Sequence, residues 1–252
     1  MTHKIALITG ASRGLGRNAA LKLAARGVDL ILTWRSGKAE AEEVCQQARA
    51  MGVQAAALQL DAGDSSRFAE FVAQVKTLLQ TQWGREQFDY LLNNAGIGIH
   101  ASFADTTEEQ FDELVNVHLK GPFFLTQRLL PLIVDGGRIL NVSSGLTRFS
   151  FPGLAAYASM KGGIEVLTRH MAKELGPRRI TVNVIAPGAI ATDFGGGMTR
   201  DNPQINAAIA SQTALGRAGL PDDIGDAMSL LLSDEAGWIN GQRIEVSGGM
   251  LL

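Results

Sequence analysis

The 252-residue chain has one cysteine, Cys45, so no internal disulfide can form. Its surroundings, "AEAEEVCQQARA", read as a charged helix, and the thiol reads as a reduced helical side chain rather than a nucleophile or ligand. Long hydrophobic runs are missing too. No stretch reaches the roughly 18 apolar residues of a membrane span, and "MTHKIALITG" is too short for a signal-peptide core. These absences predict a cytoplasmic protein. Charge of one sign is also lacking: 23 Lys and Arg face 25 Asp and Glu, for a net charge of −2. Without a basic patch, neither nucleic acid nor an anionic membrane is an expected partner. No His, Cys and carboxylate cluster has metal-ligand spacing, so no metal is expected. Linkers, repeats and low-complexity segments are absent, which predicts one domain over 1–252. Aromatics make up only 6%, with two tyrosines, Tyr90 and Tyr157.

What is present is enough apolar material for a large core, 46% of the residues. The segments 4–9, 28–33, 53–60, 88–93, 137–143, 179–186 and 242–247 are apolar and β-branched. Most are nearly continuous runs, as expected of strands buried on both faces. Amphipathic segments such as 16–27 and 65–82 lie between them. This alternation predicts a parallel sheet with helices on both sides. The longest irregular stretch, 192–213, follows a strand end and is expected to be a lid, with a short helix possible at "PQINAAIASQT".

"ITGASRGLGRNAA" follows the first strand and opens the first helix. Its glycines, Gly10, Gly14 and Gly16, allow a sharp turn, close approach of a phosphate to backbone N–H groups, and tight helix–strand packing. Taken alone, such a turn also occurs with no ligand. "AAYASMKGG" places Tyr157 four residues before Lys161, so on a helix the two share a face. A free phenol has a pKa near 10. A neighbouring ammonium lowers it, and a phenol tuned in this way can hand a proton to a ketone oxygen and regain it.

The motifs "TGASRGLG" (9–16), "NNAG" (93–96), "YASMK" (157–161) and "NVIAPG" (183–188) occur in an order and spacing that resemble the short-chain dehydrogenase/reductase family over essentially the full length. The resemblance implies an α/β fold, a single-domain Rossmann-type doubly wound parallel sheet of about seven strands with helices on both faces. It implies NADP(H) as cofactor. Gly10, Ser12, Arg13, Gly14, Leu15 and Gly16 would form the dinucleotide turn. No acid follows the second strand in "LILTWRSGK"; Arg35, with Ser36, and Arg13 instead match positions that hold the 2′-phosphate of NADP in similar proteins. Asp61, with Ala62 beside it, would meet the adenine, although Asp61 could instead cap a helix; Asp64 is the better cap candidate. Asn94, Ala95 and Gly96 would approach the cofactor through backbone. Pro187 and Gly188 would wall the nicotinamide, and Ile190 and Thr192 would touch its carboxamide and phosphate.

The same resemblance assigns the chemistry. Tyr157 is the acid/base, and Lys161 binds the nicotinamide ribose and, with the positive ring, lowers the tyrosine pKa. The family's spacing of thirteen residues before the tyrosine selects Ser144 over Ser143 to orient the carbonyl. Asn116 in "LVNVHLKGPFF" would complete a proton relay. His118 is read as a packing residue, and His100 as bordering the pocket without a catalytic part. Phe149, Phe151, Phe194 and Met198 are expected to make the substrate end apolar.

The expected activity is NADPH-dependent reduction of a ketone or aldehyde, with a small-molecule carbonyl substrate and a homotetrameric assembly. Two other enzyme readings stay open. One is a 3-oxoacyl-acyl-carrier-protein reductase, which needs cations for an acidic carrier: Arg178 and Arg179 favour it, Asp135 does not. The other is a sugar or steroid alcohol dehydrogenase. A retired NADP-binding sensor would be expected to lose Tyr157 or Lys161, and both are present.

Overall fold

Nearly continuous apolar strands need cover on both faces, and the computed structural model shows how this chain supplies it. It describes residues 3–252; Met1 and Thr2, the first residues of the expected domain, lie outside the described residues. The strands are β1 (Ile5–Ile8), β2 (Asp29–Trp34), β3 (Ala55–Gln59), β4 (Phe88–Asn93), β5 (Ile133–Val142), β6 (Thr181–Pro187) and β7 (Arg243–Val246). They form one sheet in the order β3-β2-β1-β4-β5-β6-β7, and every neighbouring pair is parallel.

Alternation along each strand divides the core in two. Ala6, Ile8, Leu30, Leu32 and Leu92 point to one face, where α1 (Gly14–Ala25), α2 (Lys38–Ala50) and the later helix Pro221–Leu231 bring Leu23, Val44, Ala48, Ile224 and Met228. Ile5, Leu7, Ile31 and Leu91 point to the other, under Phe68, Phe71 and Val75 of α3 (Phe68–Leu78). Leu125 and Leu129 of the helix Gly121–Leu129 and Ala172 of the helix Ala155–Leu175 close that layer. Tyr90 belongs to the first core and is 4% exposed, which leaves Tyr157 as the tyrosine available for chemistry. Cys45 is buried on α2, and burial pushes its thiol up to about 11, as an inert helical cysteine requires.

Three segments differ from the expected outline. Strand β5 begins at Ile133, not 137, because a register shift opposite Phe88 and Tyr90 lets the chain pair before Gly136 turns it through a φ of +79°. The expected helix over 65–82 is composite. A short turn, Ser65–Arg67, is capped by Asp64, whose carboxylate accepts from Ser66 N–H at 3.1 Å; α3 follows and widens into a π-helical turn at Leu79–Trp83. The third is the "LVNVHLKGPFF" region: α4 (Glu108–Val115) and α5 (Gly121–Leu129) are joined by a π-helical turn, Asn116–Lys120. Turns of this type are rare and concentrate at functional sites.

The segment 192–213 is more helical than its glycines imply. After α6 (Ala155–Leu175) and β6, Gly195, Gly196 and Gly197 all take positive φ, between 60° and 79°. That loop feeds α7 (Met198–Asp201) and α8 (Pro203–Ser211); α9 (Pro221–Leu231) then leads to β7. Asn202 caps α8 by accepting from Gln204 and Ile205 N–H, both at 3.0 Å, with Pro203 at the first helical position. Among the described residues no helix is long and apolar enough to cross a membrane.

Candidate active site

The chain order reverses between β1 and β4, and the crevice at such a point opens above the C-terminal strand ends. Here it is a cleft of about 780 Å³. The turn from β1 into α1 forms one wall. Gly10 has a φ of +65°, and a Cβ there would stand 2.9 Å from Ala95 Cα, so the turn and the loop after β4 approach through backbone alone. Gly10, Ser12, Arg13, Gly14 and Leu15 line the cleft. Gly16 does not: it is buried behind the turn, where a Cβ would collide with Gly10 O and Asn94 Nδ2, so its part is close packing.

Asn94 locks the two walls together, its Nδ2 donating to the carbonyls of Thr9 (2.9 Å) and Gly10 (3.0 Å). Thr9 Oγ1 accepts from Asn94 and Ala95 N–H, both at 2.9 Å, a brace that the glycine pattern did not single out. Asn93 donates to Thr126 Oγ1 and to Asn141 Oδ1, and Asn141 donates to Thr168 Oγ1, so a buried polar chain ties the sheet to α5 and α6.

At the outer end, Arg35, Ser36, Asp61 and Ala62 line the cleft. Asp61 accepts from Gly63 N–H at 2.9 Å, and with Asp64 serving as the cap, Asp61 faces the cleft. The two arginines differ. Arg35 is exposed and makes no ion pair among the described residues, whereas Arg13 Nη1 is 2.9 Å from Asp193 Oδ2. Asp193 follows Thr192 in the segment after β6, so Arg13 joins the turn to that segment instead of standing free.

At the inner end, Tyr157 and Lys161 on α6 are 9% and 5% exposed. Lys161 Nζ donates to the Val142 carbonyl at 2.8 Å and lies 5.4 Å from the Tyr157 ring centroid. Burial, rather than the ammonium, is the larger influence on the tyrosine in this arrangement. Burial pushes the phenol up, with a Ser144 hydrogen bond pulling weakly the other way, and burial pushes the Lys161 ammonium down to about 7. The phenol is therefore neutral and carries its proton, the form an acid needs. Ser144 reaches Tyr157, while Ser143, which also borders the cleft, donates to Glu165 Oε1 at 2.6 Å.

Asn116 is not brought to the cleft; the π-helical turn places Val117 and His118 in its wall instead. His118 is 2% exposed, with Nε2 2.8 Å from Ile97 O and 3.2 Å from Ile97 N. Its imidazole meets the Tyr157 ring edge to face at 5.2 Å and 87°. Burial, reinforced by the Lys161 charge, lowers its pKa to about 2.

Comparison with known proteins agrees with this geometry. The Enoyl-(Acyl carrier protein) reductase family profile matches residues 10–251. The 3-oxoacyl-(acyl-carrier-protein) reductase FabG of Staphylococcus aureus is 36% identical over 251 residues, covering 99% of this chain and 98% of that protein. Versicolorin reductase 1 of Aspergillus parasiticus is 35% identical, covering 98% and 95%. Among solved structures, the promiscuous reductase LugOII, which catalyses keto-reduction at C1 in lugdunomycin biosynthesis, superimposes with a TM-score of 0.94 at 39% identity, covering 100% of this chain and 99% of its own. The angucycline C-6 ketoreductase LanV, solved with bound NADP, gives 0.93 at 36%, covering 98% and 95%. The chain belongs to the short-chain dehydrogenase/reductase family.

In this short-chain dehydrogenase/reductase the remaining wall is mostly apolar, with Thr199 and Gln212 as its polar members. Phe149, Phe151, Leu154, Phe194, Ile205 and Ile209 surround the space beyond Tyr157, and Phe194 lies 6.0 Å from the tyrosine ring. Met198, expected here, points elsewhere and is 49% exposed. Pro187, Gly188, Ile190 and Thr192 line the cleft between the two ends. Gly188 packs on Ser247, where a Cβ would sit 2.9 Å from backbone. His100 stands outside the cleft against Gly153. Among the described residues no group of three or more His, Cys, Asp or Glu side chains could hold a metal ion.

Proposed function

We propose that the protein is an NADPH-dependent ketoreductase for a bulky, largely apolar small molecule, with Tyr157 as proton donor. The observation that carries this reading is a buried Tyr157–Lys161 pair at the junction of two unlike spaces: a glycine-walled cleft with a free arginine at its outer end and an aromatic pocket at its inner end. The dinucleotide fits the first space, because Gly10, Gly14, Ala95 and Gly96 line it with backbone and little side chain, and Arg35 suits a 2′-phosphate. When bound, NADPH supplies the hydride. Lys161 holds the ribose side of the site, Ser144 orients the carbonyl oxygen, and the neutral Tyr157 hydroxyl delivers the proton to that oxygen. The 192–213 segment serves as the lid, with Phe194, Ile205 and Ile209 covering the substrate.

The acyl-carrier-protein reading loses support at Arg178. Its guanidinium donates to Asp135 Oδ1 at 2.8 Å and to the Leu130 and Ile133 carbonyls, so the cation is already neutralised. The aromatic residues of the lining and the likeness to LugOII, LanV and versicolorin reductase favour a fused-ring aromatic ketone. The test is NADPH absorbance loss with fused-ring ketones, simple aliphatic ketones and an acetoacetyl carrier protein. The expected order of kcat/KM is fused-ring first; a carrier-protein substrate turned over best would overturn the substrate assignment. A buried, unreactive Cys45 and a reduced cofactor suit the cytoplasm.

The assembly is proposed to be a homotetramer. The terminal "MLL" contributes less than its apolar character implies, since Met250 is 2% exposed and bridges to Thr213 of its own chain. Trp238 (99%), Leu252 (95%) and Leu230 (50%) remain on the surface beside α9 and β7, and α4 and α5 expose Phe111, Phe123 and Phe124. Two such apolar patches, each paired across a two-fold axis, give a closed tetramer. Light scattering at micromolar concentration is expected to give four times the 26.8 kDa chain mass; a fully active monomer refutes it, and a dimer removes one interface.

A further inference from the structure

We propose that Arg148 is a positioning residue for substrate choice: it clamps the segment 248–251 to the loop after β5 and so fixes the width of the substrate end of the cleft. The inference rests on the reading of that end as a pocket for a bulky apolar ketone. After β7 the chain turns through two left-handed glycines, Gly248 (φ +64°) and Gly249 (φ +77°), and runs back beside the residues that follow α8. There Ala214 N–H donates to Gly249 O at 3.2 Å, Leu215 N–H to Gly248 O at 3.1 Å, and Leu251 N–H to Gln212 O at 2.9 Å. From the loop after β5, Arg148 Nη1 donates to Leu251 O at 2.8 Å and Nη2 donates to Met250 O. One short segment therefore joins the end of α8 to the loop that carries Phe149. Gln212, Met250 and Phe149 all line the cleft, so this cross-link holds the substrate end together.

A lone ion pair near the surface would do little. This one is bidentate: Arg148 Nε donates to Glu245 Oε2 at 2.9 Å and Nη2 to Glu245 Oε1 at 2.6 Å. Glu245 sits on β7 and also accepts from Arg243 at 3.0 Å and Ser247 at 2.9 Å. The Arg148 hydrogen bond is the first cause that lowers its pKa to about 2, so the pair stays charged across an assay range. A planar guanidinium fixed in this way aims its remaining N–H groups at the two carbonyls. It also lies 5.4 Å from the Phe149 ring centroid, and Phe149 meets Phe151 edge to face at 5.5 Å. Leu251 has a φ of +53°, a left-handed conformation that a bulky side chain keeps only where its surroundings hold it. The bonds that hold it come from Gln212 and Arg148. Ser144 has support of its own. Glu165 Oε1 accepts from Ser143 Oγ at 2.6 Å and Arg243 Nε at 2.7 Å, and Thr147 Oγ1 lies 2.8 Å from Glu165 Oε1 and 3.0 Å from Ser144 O. Loss of Arg148 therefore acts on the pocket and not on the reacting end.

A ketone large enough to touch both Met250 and Phe149 senses the clamp, and a small one does not. Arg148→Met keeps an extended side chain and removes every donor. Its KM for β-tetralone, a fused-ring ketone, is expected to rise about 10-fold, the scale of a methylene-sized contact in an apolar pocket. Because the lost interaction is ground-state binding, kcat is expected to stay within about threefold, and KM and kcat for butanone and KM for NADPH within about twofold. Glu245→Gln leaves a group that Arg148 can bond but removes the charge, so KM for β-tetralone is expected to rise about threefold; this milder variant decides the matter if Arg148→Met does not fold. Hydrogen exchange followed by mass spectrometry reads the clamp without turnover. In NADPH-bound Arg148→Met the segments 212–215 and 248–252 are expected to exchange about tenfold faster than in wild type, and β6 at the wild-type rate. Unchanged exchange in those two segments overturns the proposal, and so does an equal rise in KM for both ketones. The parent reading fails separately and in the wild type: if the unaltered enzyme reduces butanone better than β-tetralone, or reduces neither, the pocket assignment falls and takes the width argument with it.

Discussion

Tyr157→Phe is expected to lower kcat by about 10²- to 10⁴-fold, the usual share of a general acid, while leaving NADPH affinity and thermal stability close to wild type. The substitution removes one hydroxyl and keeps the ring, so the edge-to-face contact with His118 and the 6.0 Å contact with Phe194 survive. The Lys161 bond to the Val142 carbonyl does not involve the phenol oxygen and also persists. Burial of Tyr157 raises its pKa, so below alkaline pH the wild-type residue is protonated and available as a donor. Steady-state kinetics with a turned-over ketone, together with NADPH fluorescence titration, measure both halves of the expectation. A variant within threefold of wild type in kcat removes Tyr157 from the mechanism.

Arg35→Ala is expected to raise KM for NADPH by about 10- to 100-fold and to leave KM for NADH nearly unchanged. A charge-assisted hydrogen bond to phosphate contributes about 1.5–3 kcal/mol, and NADH lacks the 2′-phosphate. Arg35 is exposed at the outer end of the cleft and makes no ion pair among the described residues, so its charge is free for the ligand. Arg13→Ala is expected to act in the same direction by a smaller factor. Its guanidinium already contacts Asp193 at 2.9 Å, and a phosphate must share or displace that partner. Initial rates with the two cofactors decide between these outcomes. Equal losses with NADPH and NADH in Arg35→Ala would make the arginine structural.

Local patterns were legible wherever the chemistry is local. The central strand segments emerged because strands covered on both faces are apolar at nearly every position, and Gly10, Gly14 and Gly16 marked the β1–α1 turn because the backbone there demands small residues. The pair Tyr157–Lys161 was visible because four residues on a regular helix always share a face. Asn116, placed by resemblance and not by helical spacing, does not line the cleft, where a π-helical turn sets Val117 and His118. Asp193 was unreadable because its partner lies 180 residues away. Met198 failed because three left-handed glycines turn the segment that follows Phe194, carrying the methionine away from the cleft.

By itself, then, the sequence determined the parallel α/β plan, the glycine turn between β1 and α1 and the phenol–ammonium pair. Each depends on composition or on spacing within one element. Only the tertiary structure decided which arginine is free, which residue of the α4–α5 junction faces Tyr157, and the protonation of the pair. Those outcomes depend on burial and on partners brought together from distant segments. Desolvation raises the phenol and lowers Lys161 to about 7 because the folded chain removes both from water, a quantity that no local spacing contains.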